Sequence, residues 1–478
     1  MRPVVTAEAV RGAEEAFFAA TPDADLMGIA AGAVAASARR MLDDAREPWR
    51  VLVVAGPGNN GGDGLFAGAE LARYGAEVLV LPTASTIHPG GIGAAREAGC
   101  QIVDAPDAVA RLAGVDLVID AVLGIAGRPG LREPVATLAA EAEALGVPVL
   151  AVDLPSGLDA DSGAVTGPAF AAARTVTFIA EKLCHVAEPA ASRCGEVEVV
   201  DIGVPVPGPV ARVAERADVA RLWPWPDAAS DKYSRGVVGI DTGSDDYTGA
   251  ALLGTLGAVH AGAGMVRYAG PERVGELLRP LLPSVVHGTG RVQAWVCGSG
   301  WGRGDGTRQR LSDRVADGVP MVVDADALGA LDDVTLPEGS LLTPHAGELA
   351  RLLAVDRDAV RADPIGHARE AARRHGATVL LKGATQYVVD PDGDVRIAVP
   401  GPAWTAQAGS GDTLAGIAGT LLAAGLSASD AGTLAASIQA AAAAENPGPW
   451  PPDELARRLP ATIAGLQAAV PPVSVPPR

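Results

Sequence analysis

Short apolar runs punctuate the first half of the chain, at Arg50–Ala55, Glu77–Leu81, Asp116–Ala121, Val147–Asp153, Thr175–Ile179 and Val197–Ile202. They are near-continuous Val/Leu/Ile stretches rather than alternating ones, the pattern of strands covered on both faces of a parallel sheet. Helical periodicity fills most of the gaps, and repeated strand–helix units predict a doubly wound α/β domain. Thr6 reads as the N-cap of an amphipathic first helix.

The texture changes after Asp201. Prolines 205, 207, 209, 224 and 226 crowd a stretch with one short helical pattern, which predicts a linker over 208–230. A second strand–helix series opens at Gly236 with "GVVGIDTG". It continues through "MVRYAG", "AWVCGSG", "MVVDADAL" and "TVLLKGATQYVVD" to an Ala-rich helical end. No repeat of fixed period appears, so the expectation is two different α/β domains, 1–207 and 231–465, followed by a frayed tail at 466–478.

Composition narrows the partners. A chain of 478 residues exceeds one comfortable core. It is 48% hydrophobic and 20% charged, as in globular proteins. The net charge of −19, with no Lys/Arg cluster, argues against nucleic acid or an anionic membrane as the main partner. Cys100, Cys184, Cys194 and Cys297 are scattered and read as reduced packing residues. Glu14 and Glu15 interrupt the apolar run that a signal peptide needs. The longest apolar stretches, Ala415–Leu426 and Ala435–Ala444, are too short to span a bilayer. A soluble, cytoplasmic protein is expected.

Ligands bind such sheets where strands run into helices. Three glycine-flanked polar stretches fall there: "AGPGNNGGDG" after the first strand, "DAVLGIAGRPG" carrying Asp120, and "DLPSGLDADSG" carrying Asp153 and Ser156. Each alone could be a tight turn or a cap, since Asp, Pro, Ser and Gly are ordinary turn formers. Together they point to one edge. Gly56, Gly58 and Gly61 match the dinucleotide fingerprint, but the second strand ends "VLVLPT" without the ribose-binding acid. Asn60, Asp120 and Ser156 offer hard oxygen ligands, which suit an alkali or alkaline-earth cation rather than zinc or iron.

These three motifs closely resemble the NAD(P)H-hydrate epimerase family over roughly Met1 to Pro205. The resemblance implies a Rossmann-like domain that interconverts the R and S epimers of hydrated NADH and NADPH. It implies that Asn59, Asn60, Gly61, Gly62 and Asp63 contact the hydrate. So would the loop Gly124, Ile125, Ala126, Gly127, Arg128, Pro129 and Gly130. Asn60, Asp120 and Ser156 would coordinate potassium, and Asp153 would meet the reacting ring as the acid/base group. The chain departs from the family at Leu123, at Ile125 and in "FIAEKLCH", which leaves the role of Lys182 open.

In the second half, "TAQAGSGDTLAGIAGTLL" places a tight turn before a helix that starts near Asp412. Free N–H groups at such a terminus form an anion hole, and a carboxylate there is placed to take a proton from a substrate hydroxyl. An Asp N-cap on a packed helix is the plainer alternative. Lys382 and Gly383 end another strand, His345 and Glu348 stand at a strand-to-helix turn, and Asp324 and Asp326 follow "MVV". A lone His is more often a satisfied core residue, and either Asp can be a cap.

"KGA" with "AGSGD" resembles the ribokinase superfamily. The set "YTGAA", "AGAGMV", "VDADAL", "TPHAGE", "LKGAT" and "GSGDTLAG" is similar to the ADP- or ATP-dependent NAD(P)H-hydrate dehydratases, from about Asp231 to Pro460. That resemblance implies that Ala250, Gly302, His345 and Asp412 contact the hydrate. It implies that Lys382, Gly383, Ala384, Thr385, Gln386 and Gly411 hold the adenine nucleotide. Asp412 would be the base, ADP (or ATP) the co-substrate and Mg2+ its counter-ion. "CGSGWGRGD" departs from the family's usual "GPGLG" around Gly302.

The joint expectation is a bifunctional repair enzyme with a ribokinase-like C-terminal α/β domain, a homo-oligomer whose partners are hydrated NADH/NADPH and an adenine nucleotide, with no nucleic acid and no membrane. Its two alternatives are a small-molecule kinase with a regulatory N-terminal domain, and a non-catalytic nucleotide sensor or scaffold. A kinase would release a stable phosphorylated product, whereas repair releases inorganic phosphate. A sensor would lack the acids that Asp153 and Asp412 supply.

Overall fold

The computed structural model describes residues 1–45, 47–302, 304 and 306–469, so the expected tail lies outside the described residues from 470 onward. Two compact units emerge, one of Pro3–Val210 and one of Met1–Arg2 with the chain from Ala211. The stretch expected as a linker is structured in its middle. It holds strand Ala211–Val213, parallel to Val395–Ile397, and helix Arg216–Leu222. Val219, Ala220 and Trp223 anchor it in the core of the second unit. The proline spacing masked these apolar anchors.

The first unit is built on one parallel sheet. Its strands run in the order Gln101–Ile102, Glu77–Pro82, Arg50–Ala55, Leu117–Ala121, Val149–Val152, Arg174–Phe178 and Glu196–Val200. The apolar runs foretold six of these within two residues at either end. The two-residue edge strand Gln101–Ile102 is exposed and leaves no such run. Alternation divides each strand between two cores. Val51, Val53 and Ala55 pack with helices Leu26–Leu42 and Asn59–Arg73, while Leu52 and Val54 pack with helix Val135–Leu145. Strand order reverses between Arg50–Ala55 and Leu117–Ala121, and such a switch point opens a crevice at the carboxyl ends.

The second unit has its own sheet. Parallel strands Val286–His287, Met265–Tyr268, Val237–Asp241, Ala294–Cys297, Met321–Val323, Leu341–Leu342 and Thr378–Leu381 lie in that order, with a switch point between the third and fourth. Antiparallel strands Tyr387–Val389 and Val395–Ile397 extend it. Helices Thr248–His260, Ser410–Ala423, Ala428–Glu445 and Pro452–Ala469 contribute to its main apolar core. Among the described residues, no helix is long and apolar enough to cross a membrane.

Helices Thr248–His260 and Ser410–Ala423 approach through glycine. A Cβ at Gly416 would run into the carbonyl oxygen of Gly254. Ala is the better helix former by about 0.5–1 kcal/mol, yet overpacking a filled contact costs about 1–3 kcal/mol. Gly416→Ala should therefore lower the stability of the second unit in urea unfolding. An unchanged or raised midpoint would show that the helices separate without cost.

Candidate functional site

In the first unit, the loop after Arg50–Ala55 leads straight into helix Asn59–Arg73, whose first turn is Asn59, Asn60, Gly61, Gly62 and Asp63. Gly61, Gly62 and Asp63 are buried. The loop from Gly124 to Gly130 follows strand Leu117–Ala121. It is closed by Gly127 N–H donating to Gly124 O at 2.7 Å and Gly130 N–H donating to Gly157 O at 2.9 Å. The Arg128 guanidinium donates to Gly130 O at 3.1 Å, and Ala126 and Pro129 complete the turn. A Cβ on Gly124 would lie 2.9 Å from Asp153 Oδ2 and 3.1 Å from Asn60 Oδ1, so the three motifs meet here.

Asp153 stands just beyond strand Val149–Val152 at φ +68°, a left-handed conformation that costs a non-glycine residue energy and is common at functional sites. Its Oδ2 accepts the Ile125 N–H at 2.9 Å. Its Oδ1 accepts from Lys182 Nζ at 2.8 Å and from Thr177 Oγ1 at 3.1 Å. Burial alone would raise its pKa, but the Lys182 ammonium overrides that and holds it below the ordinary value. Lys182 is 1% exposed and also donates to Thr177 Oγ1 and Phe178 O. His185 Nδ1 accepts the Lys182 N–H, so its Nε2 carries the proton donated to Asp153 O at 2.9 Å. Sequence reasoning left Lys182 without a role. Its one signal was a charge inside an apolar run.

Asp63 has the opposite character. Burial, then the charges of Asp153 and Glu14, push it up to about 8, so it holds a proton at neutral pH. Glu14, from helix Ala7–Ala20, is raised by burial and then by Asp153.

Asp120 and Ser156 form a neighbouring pair. Ser156 Oγ donates to Asp120 Oδ1 at 2.6 Å, and Ser156 N–H donates to Oδ2 at 2.7 Å. Asp120 is fully buried with no cationic side chain bonded to it among the described residues, and burial raises it to about 7. Among the described residues, Asn60 Nδ2 is buried without a hydrogen-bond partner.

In the second unit, helix Ser410–Ala423 starts after Gly409 at φ +90°, with Asp412 in its first turn. A cleft of about 1300 Å³ is lined by Ala250, Gly302 and Asp412, with Tyr247, Asp326 and Arg310. Asp326 Oδ2 accepts the Gly302 N–H at 2.9 Å and so fixes that loop. His345 does not line the cleft. It caps helix Ala346–Leu353 through Nδ1, which accepts from Gly347 and Glu348 N–H groups at 3.0 and 3.2 Å. Its ring is nevertheless half exposed, and its backbone bridges to Lys382.

Lys382 ties the nucleotide motifs together. Its Nζ donates to Asp324 Oδ1 at 2.6 Å, and a Cβ on Gly411 would lie 3.1 Å from that Nζ. Asp324 also accepts from Thr343 Oγ1 at 2.8 Å and Ser299 Oγ at 2.9 Å. Gly383, Ala384, Thr385 and Gln386 form the turn from Thr378–Leu381 into Tyr387–Val389, and Gln386 O accepts the Ala398 N–H. Asp412 is raised to about 6, first by burial and then by the Asp324 charge, with Lys382 opposing. Of the two acids after "MVV", Asp324 is the one paired with the lysine. Sequence spacing could not choose between them.

A family model described as NAD(P)H-hydrate dehydratase matches residues 238–460, and one described as YjeF-related protein N-terminus matches residues 23–184. The bifunctional NAD(P)H-hydrate repair enzyme Nnr of Mycobacterium leprae is 41% identical over 98% of this chain and 100% of its own length. The enzyme of the same name from Corynebacterium glutamicum is 34% identical over 88% of this chain and 87% of its own. The solved ADP/ATP-dependent NAD(P)H-hydrate dehydratase of Bacillus subtilis, co-crystallised with ATP/Mg2+, is 26% identical with a TM-score of 0.50. It covers 54% of this chain and 99% of that chain. A ribokinase-like superfamily protein from Enterococcus faecalis, 19% identical at TM-score 0.50, covers 54% of this chain and 97% of its own and shares the fold. With both family models matched in order and near-complete coverage of full-length relatives, the chain belongs to the bifunctional NAD(P)H-hydrate repair enzymes.

Proposed function

We propose that the first unit interconverts the R and S hydrates of NADH and NADPH at Asp153. The second unit then dehydrates the S form at Asp412 with an adenine nucleotide. The observation that carries this reading is Asp412. It is a half-buried carboxylate in the first turn of a helix, on a cleft shared with Ala250 and Gly302.

The hydrate hydroxyl lies towards Asp412, which takes its proton as the oxygen attacks the terminal phosphorus of ADP and AMP departs. The new phosphate ester then leaves with the C–O bonding electrons while the ring loses a neighbouring proton, restoring the double bond. Lys382, held by Asp324, and the free N–H groups beside Gly411 meet the nucleotide phosphates. Gly383 to Gln386 form the turn against which the rest of the nucleotide rests, and His345 stands beside it. Magnesium supplied with the nucleotide neutralises phosphate charge, and Asp326 is a hard oxygen donor on the same cleft.

In the first unit the two hydrates differ at the carbon bearing the hydroxyl. Inversion moves a proton: the hydroxyl gives one up as the ring C–N bond opens to a carbonyl and the nitrogen takes one, and reclosure on the other face of that carbonyl reverses both transfers. Asp153, kept ionised, accepts it and Asp63, kept protonated, donates it, a pair whose environments drive them apart. Asn60, Asp120 and Ser156 fit potassium on chemistry, since they offer oxygens around a buried carboxylate that lacks a cation. Bound there, the ion would balance Asp120. The family resemblance is what supports a cytoplasmic homo-oligomer and ADP as the preferred nucleotide.

With mixed NADPH hydrates and ADP, reduced-nicotinamide absorbance should return with one inorganic phosphate per turnover. A stable phosphorylated product would instead establish a kinase. Asp412 works as a carboxylate, so kcat/KM of dehydration should fall as pH drops through about 6, by about tenfold per unit below it. Because the Asp324 charge raises Asp412, Asp324→Asn should move that inflection to lower pH. An inflection that stays in place removes Asp412 as the titrating base.

Lys182→Met leaves Asp153 buried without its counter-charge. It should cost about 3–5 kcal/mol in urea unfolding. Adding Asp153→Asn should recover part of that stability, while R-to-S conversion stays at the spontaneous rate in both. A double variant no more stable than Lys182→Met alone would contradict the pairing.

A further inference from the structure

In the second unit a single carboxylate carries two guanidinium groups. Asp241, buried at the end of strand Val237–Asp241, accepts from Arg310 Nε at 2.9 Å and from Arg310 Nη2. It also accepts from Arg314 Nε at 2.7 Å. One arginine would satisfy it, so the cluster keeps a net positive charge. Arg314 lies over Trp295 at 4.4 Å and does not line the cleft. Arg310 does line it, among the carboxylates Asp246, Asp326 and Asp412. The indole of Trp301 lies under its guanidinium at 4.5 Å and donates its own N–H to Asp241 O at 2.8 Å. Trp301 belongs to "CGSGWGRGD", the stretch that departs from the family form, so the departure supplies the floor on which Arg310 rests.

We propose that Arg310 binds a phosphate group of the hydrated dinucleotide, and so fixes the hydrate with its ring hydroxyl at Asp412. The proposal rests on the dehydratase reading of this cleft. Several observations support it. Asp241 takes the Nε/Nη2 edge of the planar guanidinium and Trp301 its face, so the Nη1/Nη2 end is left to meet phosphate oxygens and little side-chain freedom is lost on binding. Its remaining bond, Nη1 to Gly243 O, is long at 3.4 Å. A chain of net charge −19 otherwise repels an anionic dinucleotide, and a fixed cation on an acidic cleft offsets this locally. The phosphate belongs either to the pyrophosphate shared by both hydrates or to the extra 2′-phosphate of the NADPH form.

The test is steady-state ADP-dependent dehydration of NADH hydrate and NADPH hydrate, which reads the second unit alone, for wild type, Arg310→Met, Arg310→Lys and Arg314→Met. Calorimetric titration of the full chain by each hydrate and by ADP accompanies it, and there the first unit's hydrate binding is common to every variant. Arg310→Met should weaken hydrate binding by about 10–100-fold, the worth of a charged hydrogen-bonded contact. The loss should appear in KM with little change in kcat, and the salt dependence of hydrate binding should become shallower. Arg310→Lys should recover part of the affinity, because it restores charge without the fork. Arg314→Met, which also breaks a bond to Asp241, should leave hydrate affinity in place. An equal loss for both hydrates assigns the pyrophosphate, and a loss confined to the NADPH form assigns the 2′-phosphate. The proposal is overturned by unchanged hydrate affinity in Arg310→Met, by an equal loss in Arg314→Met, or by a loss of ADP binding instead. A wild-type chain that restores reduced-nicotinamide absorbance from neither hydrate removes the dehydratase reading as well. Wild-type binding that survives in Arg310→Met removes only the role of Arg310.

Discussion

A carboxylate buried beyond the end of a parallel strand has to be neutralised or matched, because desolvating an unpaired charge is prohibitive. Both units match it with one lysine. Asp153 follows strand Val149–Val152 and meets Lys182, which follows the neighbouring strand Arg174–Phe178. Asp324 follows Met321–Val323 and meets Lys382 from the end of Thr378–Leu381, two strands away, with Thr343 from the strand between adding a bond. Each pair gives a buried carboxylate its counter-charge at the carboxyl end of a sheet. They also set the charges that neighbouring acids experience.

Those neighbours diverge accordingly. Burial, reinforced by the charge of Asp153, drives Asp63 up to about 8, and burial, reinforced by the charge of Asp324, drives Asp412 up to about 6. In the first unit the result is one acid held low beside one pushed up. In the second, Asp412 in the first turn of helix Ser410–Ala423 is the acid pushed up. Similar backbone architecture thus supports two chemistries through different placement of the unpaired acid. At Asp153 the matched carboxylate itself faces the ligand loop, whereas at Asp324 it stands behind Lys382.

What was legible in the sequence was whatever burial writes into composition. Strands covered on both faces announce themselves as unbroken apolar runs, and glycine-flanked acids at their ends mark the crevice. The exposed edge strand Gln101–Ile102 and the strand Ala211–Val213 inside a proline-rich stretch leave no such mark. Pairings across the sheet are likewise silent, since Asp324 and Lys382 are separated by 58 residues and Asp241 and Arg310 by 69. Asp324 and Asp326 look alike in "MVVDADAL", and only the sheet decides that the first meets Lys382 while the second holds Gly302. His345 shows the same limit from the other side. Its motif points to the ligand, while its Nδ1 is already engaged in capping a helix and its Nε2 lies 3.5 Å from Glu348 Oε1.

Departures from a family motif have a similar structural logic. Taken residue by residue, "FIAEKLCH" and "CGSGWGRGD" look like erosion of a binding loop. In the folded chain each contributes to a set whose members compensate one another. Lys182 brings both the ammonium on Asp153 and, through its backbone N–H, the tautomer of His185 that steadies Asp153 from behind. Trp301 brings an indole face to Arg310 and an indole N–H to the same Asp241 that Arg310 and Arg314 share. An arginine lying on a tryptophan and clamped by a buried carboxylate is oriented before any ligand arrives, so it can recognise an anion by geometry as well as by charge. A change confined to one member breaks such a set, whereas a change in all its members can preserve a site under an altered motif.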